Sequence, residues 1–425
     1  MQLCMRLCAA ILAAGALTAA AEEQPWTLEA SNWEKGKDLL PEPVVKRLQK
    51  GEYWFKVVSV DPAKFHHNYS QAFWDATEKN AGRYDLDEKT CGLKDKATDK
   101  IPDFVFGLPF PQIDKTDAKA GCKIAWNFTM AGAMGGGGGA TFTLNGVDTG
   151  GQFRRIKAFI HTRGYQGRHF GPLKDNPEGL SGEAIAGALE PVDVEGVSTL
   201  TKRYWNWDGQ DAVWAYVPST RRARRVNSAS RSDPVAGLDI FADDLNCYGG
   251  KVEYYQWKLV GEQTILAPLL QPYPFASKSV SPTRQLIDTP YMPAGYEVPN
   301  AKGAPWWIQQ NLLFVPRPVW IVEGQSSDPY YNFGKVIMYF DKEMYRIYWK
   351  QVHNRAGEYF YSAACGYHFI KSDDGNLTAV FPSLVIGVND KINRAALGGR
   401  YQSSFVETNW DPSYFSLRTL THMSD

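Results

Sequence analysis

From Ala140 onward the sequence is a succession of short aromatic and β-branched segments broken by turn residues, a pattern that fits antiparallel sheet better than a helical bundle. Ala140–Asn145 and Phe153–Thr162 read as strands. Thr201–Trp207 and Ala212–Val217 flank Asp208-Gly209, a hairpin signal. Tyr204, Trp205, Trp207, Trp214 and Tyr216 supply aromatic pairing across it. Lys251–Val260 alternates Tyr255, Trp257 and Leu259 with Tyr254, Gln256 and Lys258. Leu312–Val322 carries Pro316 and Pro318, which predicts an edge strand. Lys335–Phe340, Met344–Val352, Glu358–Ile370 and Leu377–Gly387 follow through short connections (one of them Ser372-Asp373-Asp374-Gly375), so they should pair as an antiparallel meander.

The N-terminal part is different. Arg6 precedes an apolar run, Leu7–Ala21, that ends in three alanines, the pattern of a cleaved export signal, 1–21. The run is too short to span a bilayer as a helix. Residues 22–425 show no composition break and read as one mainly β, α+β domain with helical and loop insertions near its start. Glu42–Lys50 and Tyr69–Asn80 are the expected helices, the first stopped by Gly51, and Glu52–Val60 reads as a strand. Ile124–Met130 fits either a strand or a helix start. Gly135–Gly139 lacks the spacing and the Lys-Ser/Thr of phosphate loops, which leaves a flexible loop or a close backbone approach.

With 46 basic and 46 acidic residues, no global charge draws the chain to nucleic acid. Four cysteines follow the leader: Cys91, Cys122, Cys247 and Cys365. An even number in an exported chain suggests two disulfides; the expected pairs are Cys91–Cys122, which closes a local loop, and Cys247–Cys365, with buried free thiols as the alternative. No Cys/His spacing suits zinc, and the His66/His67 and His161/His169 clusters are too sparse for a metal site. No Gly-x-Ser-x-Gly elbow occurs. No cofactor and no catalytic residue is expected. The basic run Arg221, Arg222, Arg224 and Arg225 could bind anionic headgroups, or it could be a solvated turn paired with Asp239, Asp243 and Asp244. Those acids are also the only start for an enzyme acting on envelope lipid or sugar.

Two blocks look familiar together: Gly107-Leu108-Pro109-Phe110-Pro111 with Trp126-Asn127; and Trp214-Ala215-Tyr216-Val217-Pro218 with Arg221-Arg222-Ala223-Arg224-Arg225, Asp233, Gly237, Asp239 and Asp244, completed by Tyr255-Gln256-Trp257-Lys258-Leu259-Val260-Gly261. Lys335–Asp341 adds a weaker third. Across most of the mature chain they resemble a domain family of unknown function among exported bacterial proteins, labelled outer-membrane lipoprotein-sorting proteins and similar to the LolA/LolB lipoprotein carriers. The resemblance implies a large curved antiparallel sheet, an unclosed β-barrel, with helices as a lid over the apolar concave face. It implies a lipid or other hydrophobic cargo carried through the periplasm between inner and outer membranes, in the company of an RND-type transporter and an outer-membrane β-barrel protein. The expected cavity residues are Trp205, Trp207, Trp214, Tyr216, Tyr255 and Trp257. An accessory scaffold of the exporter is the other non-enzymatic reading.

Overall fold

A computed structural model describes residues 24–132, 136–206, 209–373, 375, 377–400 and 403–422. The leader, 1–21, lies outside them, as do Gly135, Trp207, Asp208, Asp374 and Asn376. Among the described residues no helix is long and apolar enough to cross a membrane.

Among the described residues the α-helices are α1 Glu42–Gln49, α2 Pro62–His66, α3 Gln71–Lys79, α4 Ala120–Ala131 and α5 Leu417–His422. Ser70 caps α3 by accepting the Phe73 N–H, and Gly51 (φ 72°) follows α1 where the chain must turn left-handed. The expected strand Glu52–Val60 shortens to β2, Phe55–Val57, which pairs antiparallel with β1, Trp26–Leu28. The turn-rich stretch before α4 holds a small hairpin, β3 Tyr84–Leu86 and β4 Leu93–Asp95.

The main sheet begins with an antiparallel run: β5 Gly137–Asp148, β6 Gly151–Gly164, β7 Leu180–Glu190, β8 Ser198–Tyr204, β9 Ala212–Val217 and β10 Arg222–Val226. Gly137–Gly139 belong to β5, and a Cβ on Gly138 would stand 2.2 Å from the Phe405 carbonyl oxygen, so close backbone approach explains the glycines. The second run is β11 Tyr255–Leu269, β14 Leu313–Ser326, β15 Phe333–Asp341, β16 Ile347–Asn354, β17 Tyr359–Ser372, β18 Thr378–Asn389 and β19 Arg394–Gly399, each pairing antiparallel with the next. The expected meander is therefore β15 to β18. β19 joins β5 and unites the two runs. β12 Phe275–Ser281, β13 Arg284–Asp288 and β20 Ser403–Glu407 bridge β17 back to β5.

Three parallel pairings, β11–β17, β12–β17 and β14–β2, make the sheet mixed rather than purely antiparallel. They also show how sharply it bends, since β11 meets β17 although three strands separate them along the ladder. The sheet stays open: β10 pairs only with β9, and over Tyr255–Thr264 β11 pairs only with β14. β14 corrects the edge-strand expectation. It is central over Val319–Gly324, between β11 and β15, and edge-like only around the exposed Pro316 and Pro318.

Both disulfides are present. Cys91–Cys122 ties the β3–β4 hairpin to α4, and Cys247–Cys365 ties the segment before β11 to β17. At the other end, His161 of β6 lies in a nest of Phe159, Phe405, Trp410 and Tyr414, with its Nδ1 2.5 Å from the Tyr414 hydroxyl. That contact fastens the C-terminal segment, and with it α5, over β8–β10. His169 stacks elsewhere, against Phe106 and Phe170, so the two histidines form no pair.

Burial, with Arg284 nearby, lowers the His161 pKa from 6.5 to about 4, and burial lowers that of His368 to about 3. Both imidazoles take up protons on unfolding at mildly acidic pH. Their contribution to stability is full above pH 6.5 and falls as the pH drops toward 4. Chemical denaturation across this window should show stability falling with pH, and His161→Phe should make the slope shallower.

Candidate functional site

We call the sheet face that carries α4 the inner face. Over β11, β14 and β15 it is filled. Gly121 lets the α4 backbone lie against β11, where a Cβ would stand 2.8 Å from the Trp257 carbonyl carbon. Farther along α4, Phe128 packs edge-on against Phe340, and Arg346 donates to the Phe128 carbonyl at 2.5 Å. Asn127, fully buried, accepts the Phe110 N–H at 3.0 Å and donates to its carbonyl at 2.7 Å. The Pro-Phe-Pro turn is thus a clasp on the helix. A void among Tyr69, Phe73, Phe106 and Met130 holds about 20 Å3, room for one water. On this half of the sheet the helix and its clasp lie where the expected pocket would open. A surface cleft of about 290 Å3, lined by Pro25, Val58, Pro272, Tyr273 and Leu313, lies near β2.

Next to α4 the segment carrying Asp239, Asp243 and Asp244 lies under β16–β18. Asp243 and Asp244 are 1% and 0% exposed. Asp243 receives Arg231 Nε at 3.3 Å and the Tyr331 hydroxyl; Tyr331 in turn accepts from Tyr255 at 2.8 Å. Asp244 pairs with Lys350 and accepts from Tyr361 at 2.6 Å and from the Phe241 N–H at 2.9 Å. Burial opposes the Arg231 charge most, but the Asp243 carboxylate together with Tyr248, Tyr331 and Tyr255 outweighs it and holds the guanidinium pKa above its ordinary value. Asp239, nearer the surface, pairs with Arg394 at 3.1 Å. The pairing expected with Arg221–Arg225 is therefore corrected. Those arginines form or flank β10, and the acids are neutralised by Arg231, Lys350 and Arg394 instead. Among the described residues no cluster of three metal-ligating side chains occurs.

Across β7–β9 the other half of the inner face is partly exposed, while on β5 and β6 the same face buries Ala140, Ile156 and Ala158. Along β7, Glu183, Ile185 and Gly187 are buried while Ala184, Ala186 and Ala188 are half-exposed, so one face is covered and the other is not. Registers carry this face across the strands: Ala186 opposes Ile160 and Thr199, Ala184 opposes Thr201, and Ala215 opposes Thr199. An antiparallel sheet with one solvated face normally sets polar residues there. Here the partly exposed positions are mostly alanine, isoleucine, valine and threonine; the charged residues that share the face before β10, Arg154 of β6 and Arg203 of β8, are paired with Asp193 and Asp211.

The structure places five of the six expected cavity residues in three different surroundings. Tyr255 and Trp257 are buried in the filled half, beneath Tyr248 and α4. Trp214 and Tyr216 pack on the outer face with Leu200, Phe415 and Leu420. Trp205 stands where the two halves meet, edge-on to Trp126 at 5.6 Å and donating to the Pro102 carbonyl at 2.6 Å. Trp207 lies outside the described residues. Sequence reasoning passed over β7; the signal was the Ala-x-Ala-x-Ala spacing of Ala184, Ala186 and Ala188, too weakly hydrophobic to stand out.

A strongly bent mixed sheet, open at both edges and half covered on its inner face, is the class of protein these features define. The chain belongs to the family described as "Protein of unknown function (DUF1329)", whose model matches residues 27–385. Among solved structures it is similar to an outer membrane lipoprotein-sorting protein domain from Vibrio parahaemolyticus (15% identity, 72% of this chain and 100% of that one, TM-score 0.48). It is also similar to a DUF1329 family protein from Desulfovibrio piger (11%, 71% and 98%, TM-score 0.47). A LolA superfamily protein from Nitrosomonas europaea is more distant (11%, 69% and 96%, TM-score 0.39). No curated protein matches the chain.

Asp243→Ala leaves Arg231 buried without its partner and should cost about 3–5 kcal/mol. Asp239→Ala, at a partly exposed pair, should cost no more than about 1 kcal/mol. Denaturant unfolding of the two variants, compared with wild type, checks the contrast. Gly121→Val, which pushes α4 off β11, should cost about 1–3 kcal/mol in the same assay.

Proposed function

We propose that this protein is a carrier or chaperone for a hydrophobic molecule in the bacterial periplasm, moving it between inner and outer membranes. One observation carries the reading: the solvated face of β6–β9 is apolar where such a face is ordinarily polar. The small side chains of Ala184, Ala186 and Ala215 leave a shallow bed on which an extended chain can lie close to the sheet. The leader-like residues 1–21 and the two disulfides support an oxidising, exported setting.

The mechanism is passive. A methylene fully removed from water gains about 0.8 kcal/mol, and one lying on an open bed, wetted on its far side, gains only part of that. Cargo held this way is stable enough to carry and weak enough to surrender to a partner that buries it fully. The proposed partners are an RND-type transporter and an outer-membrane β-barrel protein. The filled half serves as the rigid frame, with α4 held by its disulfide and by the Asn127 clasp.

Native mass spectrometry of protein purified from the periplasm should find co-purified lipid or another apolar compound. Ala186→Glu puts a charge in the middle of the bed. It should weaken binding of an apolar fluorescent probe by at least about tenfold, or 1.4 kcal/mol, with the unfolding midpoint little changed. Protein that carries no cargo and binds no probe would sink the carrier reading. An Ala186→Glu protein that binds cargo normally but no longer captures an envelope partner would make the face a protein-docking surface, the scaffold reading.

A further inference from the structure

We infer that the cargo is an anionic amphiphile, its apolar part on the open bed and its oxyanion head at the arginine-bearing edge strand β10. The inference rests on the carrier reading and adds a chemical class to it.

The register places the charge. Arg224 opposes Ala215 and Arg222 opposes Val217, and cross-strand partners project from the same face. These two guanidiniums therefore rise from the face that holds Ala215, Thr199 and Ala186, at its outer rim. Arg225 projects to the opposite face, where it lies over the Trp214 ring at 5.8 Å. Arg221 sits in the turn between β9 and β10. All four are exposed, and none forms a salt bridge among the described residues. Of the acids near them in sequence, Asp211 pairs with Arg203, Asp233 accepts from Asn332, and Asp239, Asp243 and Asp244 pair with Arg394, Arg231 and Lys350. In a chain whose charges sum to zero, this is a local cationic rim beside an apolar field.

A guanidinium presents paired N–H donors that match a carboxylate, phosphate or sulfate. Arginines on an unpaired edge also have a simpler use, which is to stop another chain from pairing with it. Edge protection asks only for charge along the edge. It gives no reason for the neighbouring strands to present alanine, valine and isoleucine to water. An amphiphile requires both features, side by side and on one face, and β9–β10 supplies that juxtaposition.

The test uses the full mature chain, stripped of lipid, with three probes of similar chain length: lysophosphatidylglycerol, a fluorescent fatty acid and a neutral monoacylglycerol. Inorganic phosphate is the headgroup-only competitor. Arg222→Ala/Arg224→Ala should lose at least about tenfold in affinity for both anionic probes and change about twofold or less for the neutral one. Raising the salt should weaken wild-type binding of the anionic probes in the same direction, because the site is exposed. Inorganic phosphate should compete only weakly. Unchanged affinity of the double variant for the anionic probes overturns the inference, and if that variant also self-associates on gel filtration the arginines are edge guards. Displacement by inorganic phosphate as effective as by lysophosphatidylglycerol overturns it too, since the chain would then contribute nothing. Wild-type protein that binds monoacylglycerol as tightly as the anionic probes refutes the inference and leaves the carrier reading standing; protein that binds none of the three refutes both.

Discussion

A sheet of 18 strands has two long faces, and every apolar stretch of them must meet cover or water. That constraint shapes the molecule. The β11–β18 half has cover on its inner face from α4 and the segment holding Asp243 and Asp244, and its large side chains are correspondingly buried. The β5–β10 half has cover from α5 and the C-terminal segment on one face only. Among the described residues no third layer covers the remaining surface of β7–β9, where the side chains are mostly alanine, valine and threonine.

The filled half shows what its buried polar residues hold together. Asp243 and Asp244 turn a non-repetitive segment toward the sheet, where no strand can satisfy its backbone. Their oxygens are consumed by Arg231, Tyr331, Lys350, Tyr361 and the Phe241 N–H. Cys247, a few residues on, is bonded to Cys365 and fixes the same segment covalently. Asp341 does similar work at the β15–β16 turn, accepting Arg317 at 2.8 Å and the N–H groups of Glu343 and Met344 at 2.7 Å. Each carboxylate holds a loop in place.

Much of this was legible in the sequence. Strong period-two patterns located β15–β18 and the β8–β9 hairpin, Gly51 marked the end of α1, and the familiar blocks pointed to the family. The surroundings of the aromatic residues were not legible, because periodicity fixes the alternation of faces but not which face is covered. Trp214 and Tyr216 point outward under α5, while Tyr255 and Trp257 point inward under α4. The prolines of β14 misled because a strand can be edge-like over four residues and central over the next six. The partners of Asp243 and Asp244 were beyond reach, since Arg231 lies 12 residues from Asp243 but Tyr331, Lys350 and Tyr361 are set opposite them only by the long-range ladder.

The placement of β5 has a consequence for how such a chain comes to be folded. This strand begins at residue 137, yet its neighbours on one side, β19 and β20, begin at 394 and 403, and the cover for β8–β10 begins at 417. Synthesised from the N-terminus, the β5–β10 hairpins exist as an unanchored ribbon until residues 394–422 have emerged. Acquisition of structure is therefore gated by those distant residues, and a nascent chain that lacks them exposes a sticky, half-finished ribbon that cellular quality control must shield.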